Sequence, residues 1–292
     1  MVSLSGCGAG SSCGGSIPSG DLYFTRYSGA PNVMKVHFDY SNGKFTLDKP
    51  KAVATLSGVD GAVFAPDGDL LVGGQGGDVV HKVHVADGKF KDVRANAHAF
   101  HLAMDPGGKK VWASGIPGPL VEIPLNPFGD GTPHQVSGDD PSITSIAFDG
   151  SGHSYYTVSG PSGYGAVGLI NLKTFTTTRK ITGLAAAHGM VFDPFSGDLI
   201  LFGANHITQL DPHNLNVVSD LVITESVVLD QGTVDGHGYV FVASNAGQIV
   251  FVDYSGTKKI GASSNKVSVQ FVASSLDDVA PLSGVGSAPC KS

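Results

Sequence analysis

The sequence predicts an all-β chain: six four-stranded antiparallel sheets in a ring, closed by pairing the C-terminal strand with the N-terminal strands. Three observations carry this expectation. Short alternating runs such as "HKVHV", "SYYTV" and "QIVFV" dominate, and helical spacing of apolar residues is scarce. Glycine makes up 41 of 292 residues and charged residues only 15%, which favours many tight turns over long solvated helices. One line also returns: "SGVDGAVFAPDGDLLVGG" at 57–74 and "AAHGMVFDPFSGDLILFG" at 186–203 share a backbone pattern but open on Asp60 in one copy and His188 in the other.

The period follows from the apolar residue just before the turn. Phe64, Met104, Phe148, Phe192, Val234 and Leu282 stand at intervals of 40, 44, 44, 42 and 48. Around each lies an apolar strand, a Gly/Asp/Pro turn and a second strand such as "DLLVGG", "KKVWAS" or "GYVFVA". Four strands every 40 to 45 residues is the pattern of a β-propeller blade. One such sheet buries little alone, but stacked around an axis each covers both faces against its neighbours. The last copy, "LDDVAPLSG", supplies one strand, while "DLYFTRYSG" near the start reads as a second strand with no first. Joining the two closes six blades over residues 21–284, leaving 1–20 as a flexible leader and 285–292 as a tail.

The leader "MVSLSGCGAGSSCGGSIPSG" is small and flexible in composition. Leu4-Ser5-Gly6-Cys7 matches a bacterial lipobox, followed by a Gly/Ser tether, although only six residues precede Cys7. The expectation is an extracytoplasmic, lipid-anchored or secreted protein, touching a membrane only through that anchor. Of the three cysteines, Cys13 and Cys290 would join the termini in a disulfide, which ring closure brings together. Formal net charge is −7 without a Lys/Arg cluster, which argues against nucleic acid as a partner. A monomer is expected.

The residue four before each marker should open the innermost strand at one mouth of the central channel. Around the ring these are Asp278, Asp60, Phe100, Thr144, His188 and Asp230. Three carboxylates facing one narrow space repel each other, so either some hold protons or a cation neutralises them. Asp60, Asp230 and Asp278 are therefore candidate ligands of a divalent metal, Ca²⁺ or Mg²⁺ before Mn²⁺ or Zn²⁺. Taken singly, each Asp could instead accept backbone N–H bonds from the preceding turn. His188 and His206, on one blade, are the candidate catalytic bases. The loops expected at this mouth offer Arg26, Tyr27, Gln75, Tyr164, Asn205 and Asn245 as substrate-binding residues, with His101 beside the slot of the third blade. The remaining histidines, His81 among them, are expected at the surface. "GGQGGD" lacks the Lys and helix of a phosphate loop, and "SGPSGYG" lacks the context of a nucleophile elbow.

The blade pattern, and the "F-x-P-D-G-x-L-x-V" line of residues 64–72 within it, resembles the six-bladed propellers of the gluconolactonase, strictosidine synthase-like and NHL-repeat group, and more distantly virginiamycin B lyase. The resemblance implies a divalent cation at the channel mouth, held by acidic and amide residues, a part that Asp60, Asp230 and Asp278 would take. The Glu ligand usual in gluconolactonase-like proteins has no counterpart in these slots, and His188 departs from the pattern. Two functions follow as expectations. One is a metal-assisted lyase or hydrolase acting on a small polar or sugar-derived ester, lactone or glycoside. The other is a non-catalytic, surface-tethered binding or scaffold module.

Overall fold

A computed structural model describes residues 19–75, 77–160 and 164–281. The three cysteines, Leu282, most of the leader and the whole tail lie outside the described residues, and with them the lipobox and the proposed disulfide. The first strand begins at Ser19, inside the span expected to be leader.

Every regular element among the described residues is a strand. Blade 1 runs outward from Leu276–Pro281 through Ser19–Arg26 and Val33–Ser41 to Lys44–Leu47, with Lys51–Ala54 also paired to Val33–Ser41. Blade 2 comprises Ala62–Phe64, Leu70–Gly73, Val79–Val83 and Phe90–Arg94. Blade 3 comprises His101–Met104, Lys110–Ser114, Leu120–Pro124 and Thr132–His134. Blade 4 comprises Ser145–Phe148, Ser154–Val158, Gly165–Asn171 and Thr176–Leu184, with Ser137–Gly138 added in parallel at its outer edge. Blade 5 comprises Gly189–Asp193, Asp198–Gly203, His206–Leu210 and Val217–Val222. Blade 6 comprises Leu229–Val234, Tyr239–Ser244, Gln248–Asp253 and Lys266–Phe271. The six innermost strands touch in cyclic order, and Leu276–Pro281 meets both Leu229–Val234 and Ala62–Phe64. The ring is thus closed by a strand from one end of the chain paired with a strand from the other, Leu22 opposite Pro281 and Phe24 opposite Val279.

Two-residue alternation explains why the sheets stack. Leu22 and Phe24 pack toward blade 6, while Tyr23 between them packs toward blade 2. Likewise Leu71 faces blade 3, and Leu70 and Val72 face blade 1. The result is six hydrophobic clusters, one at each blade junction, rather than one central core. The junction that closes the ring is the most aromatic: Phe45 stacks on Phe251 at 4.3 Å, and Tyr40 meets Tyr239 edge-on at 5.3 Å. The turn after each innermost strand needs a left-handed residue, which Gly68 (φ +90°) and Gly197 (φ +86°) supply in the two copies of the repeated line.

The histidines are not all on the surface. His81 is fully buried on the third strand of blade 2, where its Nδ1 lies 2.7 Å from Asp92 Oδ1. Its position opposite Val72 turns it into the sheet stack, and the carboxylate satisfies one ring nitrogen there.

Candidate functional site

The repeated line owes its Asp-Gly and His-Gly pairs to the crowding of the innermost strands. A Cβ on Gly61 would stand 2.6 Å from the Phe100 carbonyl oxygen and 2.8 Å from His101 Cα. One on Gly189 would overlap Gln231 Oε1 and stand 2.7 Å from the Asp230 carbonyl oxygen. Glycine after the slot therefore lets the next blade approach, and that approach carries His101 to Asp60 and Asp230 to His188.

Hydroxyl groups fix the slots from the preceding blade. Thr25 Oγ1 donates to the Asp60 carbonyl (2.6 Å), Ser114 Oγ to that of Thr144 (2.6 Å) and Thr157 Oγ1 to that of His188 (2.6 Å). All three hydroxyl residues are buried on the second strands of blades 1, 3 and 4. Each bond spans a blade junction, so the backbone of the hub is set by its neighbours rather than by loops.

On this frame sits a compact group of side chains. His188 Nε2 lies 2.7 Å from Asp230 Oδ1, and His188 Nδ1 lies 2.6 Å from Ser159 Oγ. The rings of His188 and His101 meet edge-on with centroids 4.9 Å apart. His101 Nδ1 is 4.0 Å from Asp60 Oδ1. His101, His188 and Asp230 each offer a ligand atom, and these atoms all lie within 4.8 Å of one another. Asn245 donates to Asp230 Oδ2 (3.0 Å) and Gln75 to Asp60 Oδ2 (3.4 Å), so both of these loop amides reach the hub as expected from the sequence.

Several buried atoms here have no aligned hydrogen-bond partner: His101 Nδ1, Asp230 Oδ1, Asp277 Oδ2, Gln231 Oε1 and Asn245 Oδ1. The short His188–Asp230 contact is off the hydrogen-bond axis and leaves Oδ1 on that list. Unpaired buried polar atoms are rare because each loses its hydration without return. Asp230 Oδ1, Gln231 Oε1 and Asn245 Oδ1 are acceptors, Asp277 Oδ2 belongs to a carboxyl group that holds its proton, and His101 Nδ1 belongs to a neutral imidazole.

The protonation states diverge. Burial, with the nearby Asp230 charge, pushes Asp60 up to about 7. Burial, with the charges of Asp60, Asp230 and Asp278, pushes Asp277 up to about 10. Burial also holds Asp278 well above the carboxylate range. Asp230 goes the other way: burial disfavours its charge, but His188 outweighs it, with help from His101 and Asn245, and brings it to about 2. Burial and the neighbouring His188 lower His101 to about 4, so it is neutral near pH 7. Burial opposes charge on His188 as well, yet Asp230 and Asp60 raise it above the ordinary imidazole value. Such opposed shifts within one cluster mark sites that bind cations or move protons.

The remaining sequence candidates stand apart from this group or are already engaged. Asp278 accepts the Ala62 N–H on Oδ2 and the Val279 N–H on Oδ1, both at 2.6 Å, so it clasps blade 1 to blade 2. Its neighbour Asp277, absent from the repeat's slots, lies against Asp230, and that contact helps to keep it protonated. The pairing of Leu276–Pro281 with Ser19–Arg26 is irregular between Phe24 and Arg26, as that of Leu229–Val234 with Tyr239–Ser244 is between Leu229 and Gly232, so Asp277 takes the place in blade 1 that Asp230 takes in blade 6. His206 begins a third strand, with its Nδ1 2.7 Å from Asp220 Oδ2 on the outermost strand. Arg26 is tied to the carbonyls of Ser274 and Pro31, and Asn205 to that of Ile223. Tyr27 and Tyr164 are exposed. Ser159 was not singled out either: its only sequence signal is its place at the end of a second strand, which becomes informative once His188 is seen across the junction.

No protein-family model matches the chain, and neither does any curated protein sequence. Solved structures do match in fold. A chain of the nidogen/laminin complex aligns with TM-score 0.66 at 13% identity, over 89% of this chain and 97% of that one. A catalytically inactive histidine-to-alanine virginiamycin B lyase from Staphylococcus aureus, solved with quinupristin, aligns with TM-score 0.54 at 13% identity, over 87% and 85%. The calcium-binding protein regucalcin from Agrobacterium tumefaciens aligns with TM-score 0.54 at 16% identity, over 73% and 74%. At these identities the likeness is one of architecture, and it places the chain among six-bladed β-propellers and their structural relatives.

Proposed function

We propose that the hub is the active site of an enzyme that cleaves a small polar ester, lactone or sugar-derived C–O bond, by hydrolysis or elimination, beside a bound divalent cation. The observation that carries this reading is the meeting of ligand atoms from His101, His188 and Asp230 within 4.8 Å of one another, with His101 Nδ1 and Asp230 Oδ1 lacking an aligned hydrogen-bond partner. A buried acceptor cluster of this kind fits a cation that supplies the missing partners. His101 and Asp230 would hold it, with Asp60 and Asp277 as the neighbouring carboxyl groups. A nitrogen donor among carboxylate oxygens favours Mn²⁺ or Zn²⁺ over the Ca²⁺ or Mg²⁺ that the carboxylates alone suggest. When bound, such an ion stabilises negative charge developing on a substrate oxygen.

His188 is the proton-transfer group. Both of its nitrogens are engaged, by Asp230 and by Ser159, which orients the ring and leaves the role of metal ligand to His101. Its side chain is 35% exposed, against 11% for Asp230 and 9% for His101, so His188 is the member of the group most open to a substrate. The solved lyase, inactive when a histidine is replaced and captured with its antibiotic, is a propeller of similar architecture whose activity depends on a histidine, and it supports an enzymatic reading.

The test is elemental analysis of purified protein, followed by melting curves with chelator and with each divalent ion, and a screen of lactones, esters and uronic-acid oligosaccharides. The reading predicts about one divalent ion per chain, stabilisation by that ion, and loss of turnover in H188A. A chain that takes up no cation and whose melting ignores chelator would overturn it in favour of a binding module.

A further inference from the structure

We propose that Ser159 is a covalent nucleophile, the first member of a Ser159–His188–Asp230 relay assembled across the junctions of blades 4, 5 and 6. This rests on the hub being the active site and selects hydrolysis over elimination, because an elimination needs a base but no nucleophile.

Ser159 is the first residue of "SGPSGYG", directly after the second strand of blade 4. Its position is fixed twice by Thr144: the Ser159 N–H donates to Thr144 Oγ1 (2.8 Å), and that hydroxyl lies 3.4 Å from Ser159 Oγ. Ser159 Oγ then lies 2.6 Å from His188 Nδ1. The opposite ring nitrogen, Nε2, is 2.7 Å from Asp230 Oδ1, and Asn245 steadies the other carboxylate oxygen. The His188 backbone is pinned by Thr157 through its carbonyl and by Phe202 through its N–H (3.0 Å). A hydroxyl, an imidazole and a buried carboxylate in contact are the nucleophile, base and orienting group of acyl-transfer enzymes, and roles rather than sequence order define the set. Here Nδ1 faces the hydroxyl and Nε2 the carboxylate. With the ring proton on Nε2, beside the Asp230 carboxylate, the Nδ1 lone pair is left for the Ser159 proton. A serine that only capped the ring would need no anion on the far side.

In the first half-reaction the Ser159 proton passes to His188 Nδ1 while Oγ bonds to the carbonyl carbon of an ester or lactone. The displaced electron pair rests on the carbonyl oxygen. It returns as the bond to the leaving alcohol breaks, and the alcohol oxygen takes the proton from His188. Water then attacks the seryl ester in the same way, releasing the acid and restoring the Ser159 hydroxyl.

The experiment uses the full chain and a fluorophosphonate probe, with and without each divalent ion, read by intact mass and peptide mapping. The Oγ–P bond forms as P–F breaks and fluoride leaves. One adduct on Ser159 is expected, absent in S159A and formed at least about 100-fold more slowly in H188Q. S159A should keep the wild-type melting temperature and cation uptake while losing ester turnover, and S159C checks that the residue's volume alone is not responsible. No adduct in any arm, an adduct on another residue, or wild-type ester turnover by S159A would overturn the proposal. The last result leaves the cation-assisted reading standing, with His188 acting on water. Labelling at Ser159 in a chain that binds no cation would do the reverse.

Discussion

Asp277→Asn in the metal-free protein is the sharpest probe of the hub's electrostatics. Asp277 holds its proton with a pKa of about 10 in the folded chain against 3.8 as the reference, because it is buried beside Asp60, Asp230 and Asp278. A folded pKa above the unfolded one gives a contribution that is whole below about 3.8 and is lost as pH rises toward the folded value. One proton released on unfolding corresponds to about 1.4 kcal/mol per pH unit, so the ceiling between pH 4 and pH 7 is about 4 kcal/mol. With an effective interior dielectric nearer 20 than 4, about 1–2 kcal/mol of this is recoverable by an amide of the same shape. That corresponds to roughly 2–8 °C for a domain of this size. Denaturant melts in chelator at pH 4.5, 6, 7 and 8 are the assay. D277N should match wild type at pH 4.5 and exceed it increasingly toward pH 8. Asp60 and Asp278 leave both proteins a residual slope, of which the Asp60 part ends near pH 7. A gap that does not change with pH, or a D277N protein less stable at pH 8, would refute the reasoning. Added Mn²⁺ or Zn²⁺ should narrow or invert the gap, since only wild type keeps the full acceptor set.

Other outcomes follow from the junction geometry. T157V removes the buried bond to the His188 carbonyl and should cost about 1–2 kcal/mol in urea melts, with a larger fractional loss of turnover than of stability. G189A forces a Cβ against the Asp230 carbonyl and Gln231 and should cost about 1–3 kcal/mol, weakening cation uptake as Asp230 shifts. F251A empties the aromatic junction that closes the ring and should cost about 3–5 kcal/mol without changing the metal bound by the folded fraction. H206A, which touches Asp220 on the outer strands, should leave turnover near wild type.

The wheel was legible because its causes are periodic. Alternating apolar residues, a turn glycine and a marker every 40 to 48 residues each follow from stacking identical sheets, and the unpaired strand at each end dictated closure. The hub was legible where a slot residue governs its own contacts: His188 meets Asp230, Asp60 stands beside His101, and Gln75 and Asn245 reach the two carboxylates. It was not legible where a local irregularity or a neighbouring blade decides. In blade 1 the residue matching Val234 is Pro281 rather than Leu282, so the place of Asp230 falls to Asp277 and not to Asp278. His206 starts a strand because the turn before it is only Ala204-Asn205. Ser159 carries no signal of its own, since its partner lies 29 residues away on the next blade.

Anomalous scattering from a crystal soaked in Mn²⁺ addresses the hub most directly. A single strong peak bonded to His101 Nδ1 and Asp230 Oδ1, with Asp277 turned toward it, is what the arrangement predicts. A map with no peak on the channel axis, or with the ion held by side chains away from these blades, would contradict it.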